Sequence, residues 1–566
     1  MNLASDTVLR LNTGVMDYIL VAVYFVFVLG IGYLARGKVA SSIDFFLSGR
    51  SLPAWVTGIA FVSANLGAVE IMGMSANGAQ LGLSTMHYYW IGAVPAMVFL
   101  GIVMMPFYYG SKVRSVPEFM RRRFGTGAHL VNALSFAIAQ VLIAGVNLFL
   151  LATVVNAVLG WPQWVSLIVA AAVVLTYTAL GGLSAAIYNE VLQFFVILAA
   201  LVPLTVIGLI KIGGWSGLRD KMIDTHNSSG AVSATVSDQL NSWPGQALSG
   251  FSSPVWSVVG IVFGLGFVLS FGYWTTNFVE VQRAMASDST SAARRAPIIG
   301  AIPKMFIPFV VVVPGMICAA AIGDMIHLKN TGAGEVTYND AMLLMMRDIL
   351  PNGLLGVAVA GLLASFMAGM AANVSAFNTV FSYDLWQQYV VKDRPDKYYI
   401  TVGRVATVGA VLLAIGTATI AAGYSNLMDY LQTLFGFFNA PLFATFILGM
   451  FWKRMTATAG WVGLVAGTAS AVTVFVLQET GVINLPGQGM AFVAAIAAFV
   501  VDIVVSVIVS LVTSPKPVAE LDGFVWSLTD KTKLLGDDSG AAWYARPVPL
   551  AIVVMTLVVV LNVIFH

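Results

Sequence analysis

Several acidic and basic side chains lie inside long apolar runs of this sequence, and they are its first candidates for chemistry. They are Glu70, Glu190, Lys304, Asp429 and Asp502. A charge in an apolar run is costly unless it is paired or faces a polar cavity, so such residues typically serve ion, proton or solute pathways. Glu70 stands out because it shares its run with Ser63, Asn65 and Gly67.

The sequence lacks the patterns of common catalytic sites. It contains no HExxH, GxSxG or GxxxxGK[ST] motif, and its histidines are scattered singly at 87, 129, 226, 327 and 566. The single cysteine, Cys318, excludes an internal disulfide, a CxxC metal site and a redox dithiol. We therefore expect neither an enzyme nor a cofactor, and function must lie among the apolar runs as transport, conduction or scaffolding.

The composition is that of a polytopic membrane protein. Of 566 residues, 59% are hydrophobic and only 10% are charged, with a mean hydropathy of +0.88. A net charge of +2 gives no reason to expect a nucleic acid partner. The first apolar run lacks the features of a cleavable signal peptide, so we expect it to be retained as a helix.

Apolar runs of about 20 residues predict membrane-spanning helices. Fourteen such windows occur, at 16–35, 54–81, 86–110, 129–159, 163–181, 186–212, 254–279, 297–325, 353–384, 400–423, 428–452, 457–478, 489–513 and 547–565.

The basic residues orient these spans. Most lysines and arginines fall in alternate loops, including the clusters at 121–123 and 294–295. Because positive loops face the cytoplasm, this distribution predicts both termini outside, in a protein of the cell membrane.

Two spans contain interruptions typical of transporter sites. The second span has polar residues and glycine in its middle, and the seventh has three glycines and a hydroxyl cluster. They lie five spans apart, which predicts a five-plus-five inverted repeat of the LeuT type. The corresponding divisions are an N-terminal extra helix and inner loop (1–50), a first repeat (51–212), an outer loop (213–253), a second repeat (254–452) and three C-terminal helices (453–566).

Longer motifs resemble a known family. The runs DFFLSGRSLPAWVTGIAFVSANLGAVEIMGMS, SVPEFMRRRFG, YTALGGLSAAIYNEVLQFF, FGYWTTNFVEVQRAMAS and LGMFWKRMTATAG resemble, in order, signatures of the sodium/solute symporter family, in its sodium–glucose cotransporter branch. The resemblance implies an all-α protein of fourteen transmembrane helices, with one extra helix before the five-plus-five core and three after it. It also implies cation-coupled solute symport by alternating access.

The resemblance assigns residues to a solute site. Asn65, Lys304 and Gln432 match the family's solute-binding residues, while Tyr273 and Trp274 match its inner-gate pair. Amides, an ammonium and an aromatic ring suit a solute rich in hydroxyl groups.

The same region departs from the family at three positions. Glu70 stands where sugar-transporting relatives have glutamine, Tyr89 replaces a glutamate, and Ser270 replaces an asparagine. We include these residues, with Tyr88, among the solute contacts. We expect Glu70 and Lys304 to stabilise each other, directly or through solute.

The sodium site departs further. By resemblance, the carbonyls of Ser63, Leu66 and Ser365 would ligate sodium, but the family's paired serines align with Ala368 and Gly369. Since sodium prefers several hard oxygen ligands, the loss of two hydroxyls should weaken this site.

A carboxylate beside the weakened site could take a proton instead. Glu190, in YNEVLQ, is the first candidate and Glu70 the second, although Glu190 is equally explained as an interfacial residue. For Asp502 we favour a structural pair or an oligomer contact, and for Asp429 an interfacial position near the outer helix end.

These observations predict a secondary active transporter for a small polar solute, a sugar or polyol, with sodium as the coupling ion. A proton-coupled symporter or uncoupled facilitator stays open as an alternative. So does a transporter-derived sensor or scaffold. The expected partners are the solute and the lipid bilayer.

Overall fold

The computed structural model describes residues 9–35, 48–222, 235–424, 426–485, 487–530, 534–536, 538 and 542–566 of the chain. Within these residues all regular secondary structure is helical, as predicted. Apolar runs form helices in a bilayer because a helix satisfies its backbone polar groups internally. The main helices are α1 (Val15–Ala35), α2 (Ala54–Asn65), α3 (Val69–Met86), α4 (Tyr88–Gly110), α5 (Val116–Phe124), α6 (Thr126–Leu159), α7 (Gln163–Ile212), α8 (Pro254–Thr276), α9 (Phe278–Met285), α10 (Thr290–Ala321), α11 (Leu354–Val390), α12 (Asp396–Ala421), α13 (Leu427–Phe451), α14 (Ala457–Glu479), α15 (Gly489–Val512) and α16 (Pro547–Ile564).

The chain is an integral membrane protein. Among the described residues, eleven helices are long and apolar enough to cross a bilayer, and the bent pair α2 and α3 would make a twelfth. Every predicted window coincides with helical structure. The apolar stretches in α1 and at the start of α7 are, however, shorter than the length counted as a membrane span. The count of fourteen spans therefore stays a prediction, as do the repeat boundaries. Residues 36–47 and 223–234, within two predicted loops, lie outside the described residues.

The fifth and sixth predicted spans belong to one helix. Helix α7 continues through 50 residues, with no interruption near residue 183 where we expected one. The sequence there contains no proline to stop the backbone hydrogen bonding. Two predicted spans are therefore joined without a break in secondary structure.

The second predicted span is broken, as the sequence indicates. Helix α2 ends at Asn65 and α3 begins at Val69, with a bend of 59° between them. The N–H of Leu66 turns back to the carbonyl of Ser63 at 3.0 Å, which ends the helix. The glycine after Leu66 allows close approach to α11: a Cβ on Gly67 would lie 3.4 Å from the Cα of Gly369.

The seventh predicted span is distorted rather than broken at its middle. The segment Gly260–Ser270 of α8 is π-helical, and the helix then continues to Thr276. The expected mid-span break is therefore wrong here, because the glycines are accommodated by a wider helical turn. The chain breaks only at Asn277, which has φ −71° and ψ 116° and caps α9 through its side chain.

The helices around the break pack closely through small residues. A Cβ on Gly58 of α2 would lie 2.8 Å from the carbonyl oxygen of Ala296 on α10. Likewise, a Cβ on Gly315 of α10 would lie 2.0 Å from the carbonyl oxygen of Ser75 on α3. Because glycine lets helix backbones approach each other, α10 is held against both halves of the broken span.

Candidate functional site

One cavity lies where the broken helix, α4, α8, α10 and α13 meet. It contains every residue that the sequence assigned to the solute or its gate. These residues are Asn65, Glu70, Tyr88, Tyr89, Ser270, Tyr273, Trp274, Lys304 and Gln432.

The ammonium of Lys304 is the centre of this cavity. Its Nζ atom donates hydrogen bonds to Oε1 of Glu70, at 2.7 Å, and to Oδ1 of Asn65. The same atom lies 5.1 Å from the ring centroids of both Tyr89 and Trp274. Lys304 is only 1% exposed, so the ion pair and the two aromatic faces replace the water that the ammonium would otherwise need.

Tyr273 connects this ion pair to a carboxylate that the sequence analysis missed. Nδ2 of Asn65 donates to the hydroxyl of Tyr273 at 3.0 Å, and that hydroxyl donates to Oε1 of Glu280 at 2.9 Å. Glu280 lies on α9, between two spans, and also lines the cavity. Its only signal in the sequence was its place in the motif FGYWTTNFVEVQRAMAS.

Glu280 is an unusual carboxylate. It is fully buried, and its Oε2 atom has no hydrogen-bond partner. Burial raises the pKa of the Glu280 carboxyl to about 7, although the Arg283 guanidinium and the hydrogen bond from Tyr273 act in the opposite direction.

The opposite end of the cavity is closed by a second polar chain. The hydroxyl of Tyr88 donates to Oε1 of Gln488 at 3.1 Å, and Nε2 of Gln488 donates to Oδ1 of Asp429. Gln488 immediately precedes α15, so a C-terminal helix contributes to the closure. Asp429 lies in the first turn of α13, near the helix end as expected, and its carboxylate is hydrogen-bonded to Gln488.

The aromatic gate residues are fixed by stacking. Trp274 stacks on Phe61 with centroids 5.6 Å apart and an interplanar angle of 29°, and Tyr273 packs on Phe435 at 4.6 Å. These contacts leave the Trp274 ring as a preformed wall beside Lys304.

The predicted sodium ligands lie beside the cavity. Ser63 and Ser365 are fully buried, and neither hydroxyl has a hydrogen-bond partner. Oδ1 of Asn147 is likewise unpartnered, and it would lie 3.4 Å from a Cβ on Gly67 and 3.5 Å from one on Gly369. Among the described residues no group of three or more His, Cys, Asp or Glu side chains is placed to hold a metal ion. Carbonyl, hydroxyl and amide oxygens are thus the available cation ligands.

Glu190 lies apart from the cavity lining in a buried ion pair. Its two carboxylate oxygens accept hydrogen bonds from Arg283 at 2.7 and 3.3 Å, and both side chains have no exposure. Its partner is thus a guanidinium, and not the loop amides expected of an interfacial residue.

Asp502 has a structural environment. It accepts hydrogen bonds from Thr445 at 2.8 Å and from Ser506 at 3.1 Å, and it is fully buried within the chain. It is therefore bonded inside the protomer and offers no surface for the oligomer contact that we considered.

Comparison with known proteins identifies a family over most of the chain. Residues 45–467 match the model of the sodium:solute symporter family. The resemblance drawn from the sequence motifs is thereby confirmed.

The curated relatives include cotransporters. A sodium/glucose cotransporter from Vibrio parahaemolyticus is 27% identical over 81% of this chain and 84% of its own length. Sodium/glucose cotransporter 4 from Danio rerio is 30% identical over 82% of this chain and 72% of its own length. Sodium/glucose cotransporter 1 from Ovis aries is 28% identical over 90% and 81%.

A solved structure shares the fold. A sodium-coupled sialic acid symporter, in a substrate-bound outward-open state, has a TM-score of 0.70 at 18% identity, covering 89% of this chain and 99% of that one. At this identity the likeness concerns the fold alone, and the predicted LeuT-type architecture is confirmed.

Proposed function

Because this chain belongs to the sodium:solute symporter family, we propose that it carries a neutral sugar or polyol together with sodium. Membership makes it a sodium-coupled solute symporter that binds a small solute. The proposal concerns the class of that solute and the side chains that bind solute and ion.

The observation that carries the proposal is the ion pair between Lys304 and Glu70 at the cavity centre. The ammonium and the carboxylate cancel each other's charge, so the centre offers hydrogen bonds without favouring a charged solute. An acidic solute would have to compete with Glu70 for Lys304, and a basic one would have to compete with Lys304 for Glu70. The named activity of the relatives, sodium/glucose cotransport, supports a sugar.

The remaining lining residues have roles suited to hydroxyl recognition. The side-chain amides of Asn65 and Gln432 each offer a donor and an acceptor. We propose further solute contacts through the hydroxyl groups of Ser270, Tyr88 and Tyr89. Trp274 provides a flat face for a sugar ring. Tyr273, held between Asn65 and Glu280, closes the exit.

Sodium would bind at the break between α2 and α3. The proposed ligands are the carbonyls of Ser63 and Leu66, at the end of α2, and of Ser365, on the neighbouring α11. The Ser63 carbonyl also accepts the N–H of Leu66. The unpartnered amide oxygen of Asn147 is a further oxygen at the same break. Ala368 and Gly369 supply no side-chain oxygen, so we expect weak sodium binding.

The proposed orientation follows the basic loops. Glu280 and Tyr273 are followed by Arg294 and Arg295 in the first turns of α10, so we place this end of the cavity on the cytoplasmic side of the cell membrane. Both termini then lie outside.

One observation keeps proton coupling as a second candidate. Gly67 and Gly369 are packed against each other where relatives would place a hydroxyl, as shown by the 3.0 Å distance from a Cβ on Gly369 to the Cα of Gly67. A site without that hydroxyl favours a proton over sodium as the coupling ion. Glu190 is already paired with Arg283, and Glu70 with Lys304, so protonating either carboxylate would break a buried ion pair.

Competition in proteoliposomes tests the solute class. Uptake of labelled d-glucose under a sodium gradient is measured with unlabelled neutral sugars, polyols, a uronic acid and an amino sugar as competitors. Neutral compounds should compete best. Preferential inhibition by the uronic acid or the amino sugar would contradict the proposal.

A further inference from the structure

The buried charges beside the inner end of the cavity do not balance. Three carboxylates, Glu70, Glu190 and Glu280, share this region with two cations, Lys304 and Arg283. Lys304 pairs with Glu70 and Arg283 with Glu190, at 2.7 Å in each case. Within the described chain, no lysine, arginine or histidine nitrogen forms a salt bridge with Glu280. One buried carboxylate is therefore in excess.

Arg283 is fully engaged elsewhere. Its Nε and one terminal nitrogen donate to Glu190, and the other terminal nitrogen donates to the carbonyl of Val279 at 2.9 Å and to Oε1 of Gln282 at 3.1 Å. The guanidinium lies three residues beyond Glu280 on α9 and acts on it only through space. The excess charge thus stays on Glu280.

The carboxylate of Glu280 has too few hydrogen-bond partners for a buried charge. Oε1 accepts the hydrogen bond from Tyr273, while the buried Oε2 atom has no partner. Leaving a charged oxygen buried without a hydrogen bond is costly, and adding a proton removes the charge.

The same carboxylate holds the gate tyrosine. Tyr273 lies between Asn65 and Glu280, so a single chain of hydrogen bonds joins Glu280 to the Lys304–Glu70 pair in the cavity. An ionised Glu280 makes a charge-assisted bond to Tyr273, whereas a protonated one makes a weaker neutral bond.

We propose that Glu280 is a proton-binding site that controls the inner gate, an inference that rests on the proposed role of Tyr273 in solute exit. The ionised carboxylate keeps Tyr273 across the exit. A proton taken from the cytoplasmic solution neutralises Glu280, weakens its bond to Tyr273 and speeds opening; its return to the same solution restores the closed gate.

A proton fits this position better than a metal ion. Sodium needs several oxygen ligands, but Glu280 offers one unpartnered oxygen. The charged and titratable groups that act on Glu280 are Arg283 on its own helix, Tyr273 on α8, Lys304 on α10 and Glu190 on α7. Arg283, Tyr273 and Lys304 favour the ionised form of Glu280, whereas the negative charge of Glu190 favours its protonated form. Burial outweighs them and raises the pKa of the carboxyl to about 7, where cytoplasmic pH can change its charge.

Equilibrium exchange of labelled solute tests the functional part. Proteoliposomes carry saturating sodium and equal pH on both sides, from about pH 5.5 to about pH 8.5, so that neither gradients nor protein orientation affects the result. Wild-type exchange should be about fivefold faster at the acid end, the difference expected between a neutral and a charge-assisted bond to the gate. Glu280→Gln should lose the pH dependence and exchange at the acid rate.

Three variants separate the gate from other effects. Glu118→Gln removes a carboxylate from an exposed pair with Arg122 and should keep the wild-type pH profile. Glu190→Gln should move the midpoint of the pH profile to lower pH. Without the Glu190 charge, the Arg283 guanidinium stabilises the ionised form of Glu280 more strongly. Tyr273→Phe should make exchange insensitive to pH while Glu280 still binds its proton.

A difference titration measures the proton directly and needs no transport. Wild-type protein minus Glu280→Gln in detergent should show one group titrating near neutral pH, and Tyr273→Phe should retain it. Absence of this group, or an unchanged exchange profile in Glu280→Gln, overturns the proposal. Failure of a sodium gradient to drive uptake would instead count against the proposed function, and the titration would still decide whether Glu280 binds a proton.

Discussion

Neutralising both members of the Lys304–Glu70 pair should cost less than the sum of the two single neutralisations. The atoms are 2.7 Å apart, and the side chains are 1% and 10% exposed. Removing one partner of such a pair leaves an uncompensated buried charge, which costs about 3 to 5 kcal/mol. The slight exposure of Glu70 places Lys304→Met near the lower end of that range.

The double variant should lose less stability than the two single variants lose together. Lys304→Met with Glu70→Gln contains no buried charge, and a directly contacting pair typically shows a coupling energy of about 0.5 to 3 kcal/mol. The apparent free energy of unfolding is measured in mixed micelles by tryptophan fluorescence for the wild type, both single variants and the double variant. Coupling above about 1.5 kcal/mol is the expected result.

An exposed pair in the same protein is the matched control. Arg122 and Glu118 lie 2.5 Å apart but are 41% and 20% exposed. The equivalent cycle there should give a coupling energy below about 1 kcal/mol. Additive losses at Lys304 and Glu70, or coupling no larger than in the control, would refute the view that burial makes this pair strong.

Lys304→Ala should also abolish solute uptake while folded protein stays in the membrane, and unchanged uptake kinetics would remove Lys304 from the solute site.

Further variants test the solute site, the ion site and the peripheral carboxylate. Gln432→Ala should weaken solute binding by about 1 to 3 kcal/mol, the cost of an unpaired buried hydroxyl, and an unchanged dissociation constant would exclude contact. Ala368→Ser should lower the sodium concentration that half-saturates uptake, because it returns one hydroxyl ligand; no change would place sodium elsewhere. Gly369→Ser should instead reduce the yield of folded protein, because its Cβ would lie 3.0 Å from the Cα of Gly67. Asp502→Asn should leave the solute KM unchanged, since Thr445 and Ser506 hold Asp502 in a buried structural contact.

The positions of the helices could be predicted from the sequence because they depend on local composition. Each apolar window coincides with helical structure, although the fifth and sixth windows share one helix. The break between Asn65 and Val69 followed from polar residues and glycine within one run. The sequence indicated that α8 would be irregular, but not whether the irregularity would be a break or a π-helical turn. Glycines permit either a break or a π-helical turn, and packing against neighbouring helices decides between them.

Contacts between distant segments could not be predicted from spacing. Glu190 and Arg283 are 93 positions apart, and nothing local indicates that one neutralises the other. Gln488 was missed because it closes the cavity from a helix outside the predicted core. Glu280 was missed because its role depends on which charges remain unpaired after folding.

The close approach of Gly67 to Gly369 also appears only in three dimensions. The sequence showed that two serine hydroxyls were absent, but not that backbone atoms fill part of their place. This packing explains why Ala368→Ser is a cleaner test of the ion site than a double serine replacement.

Concentrative uptake into proteoliposomes tests the central claim most directly. Labelled d-glucose and neutral polyols are offered to vesicles under an imposed inward sodium gradient, with a proton gradient imposed separately at equal sodium. Accumulation above equilibrium that requires the sodium gradient and collapses with a sodium ionophore is the predicted result. Accumulation driven by the proton gradient alone, or equilibration without accumulation under either gradient, would contradict sodium-coupled transport of a neutral sugar or polyol.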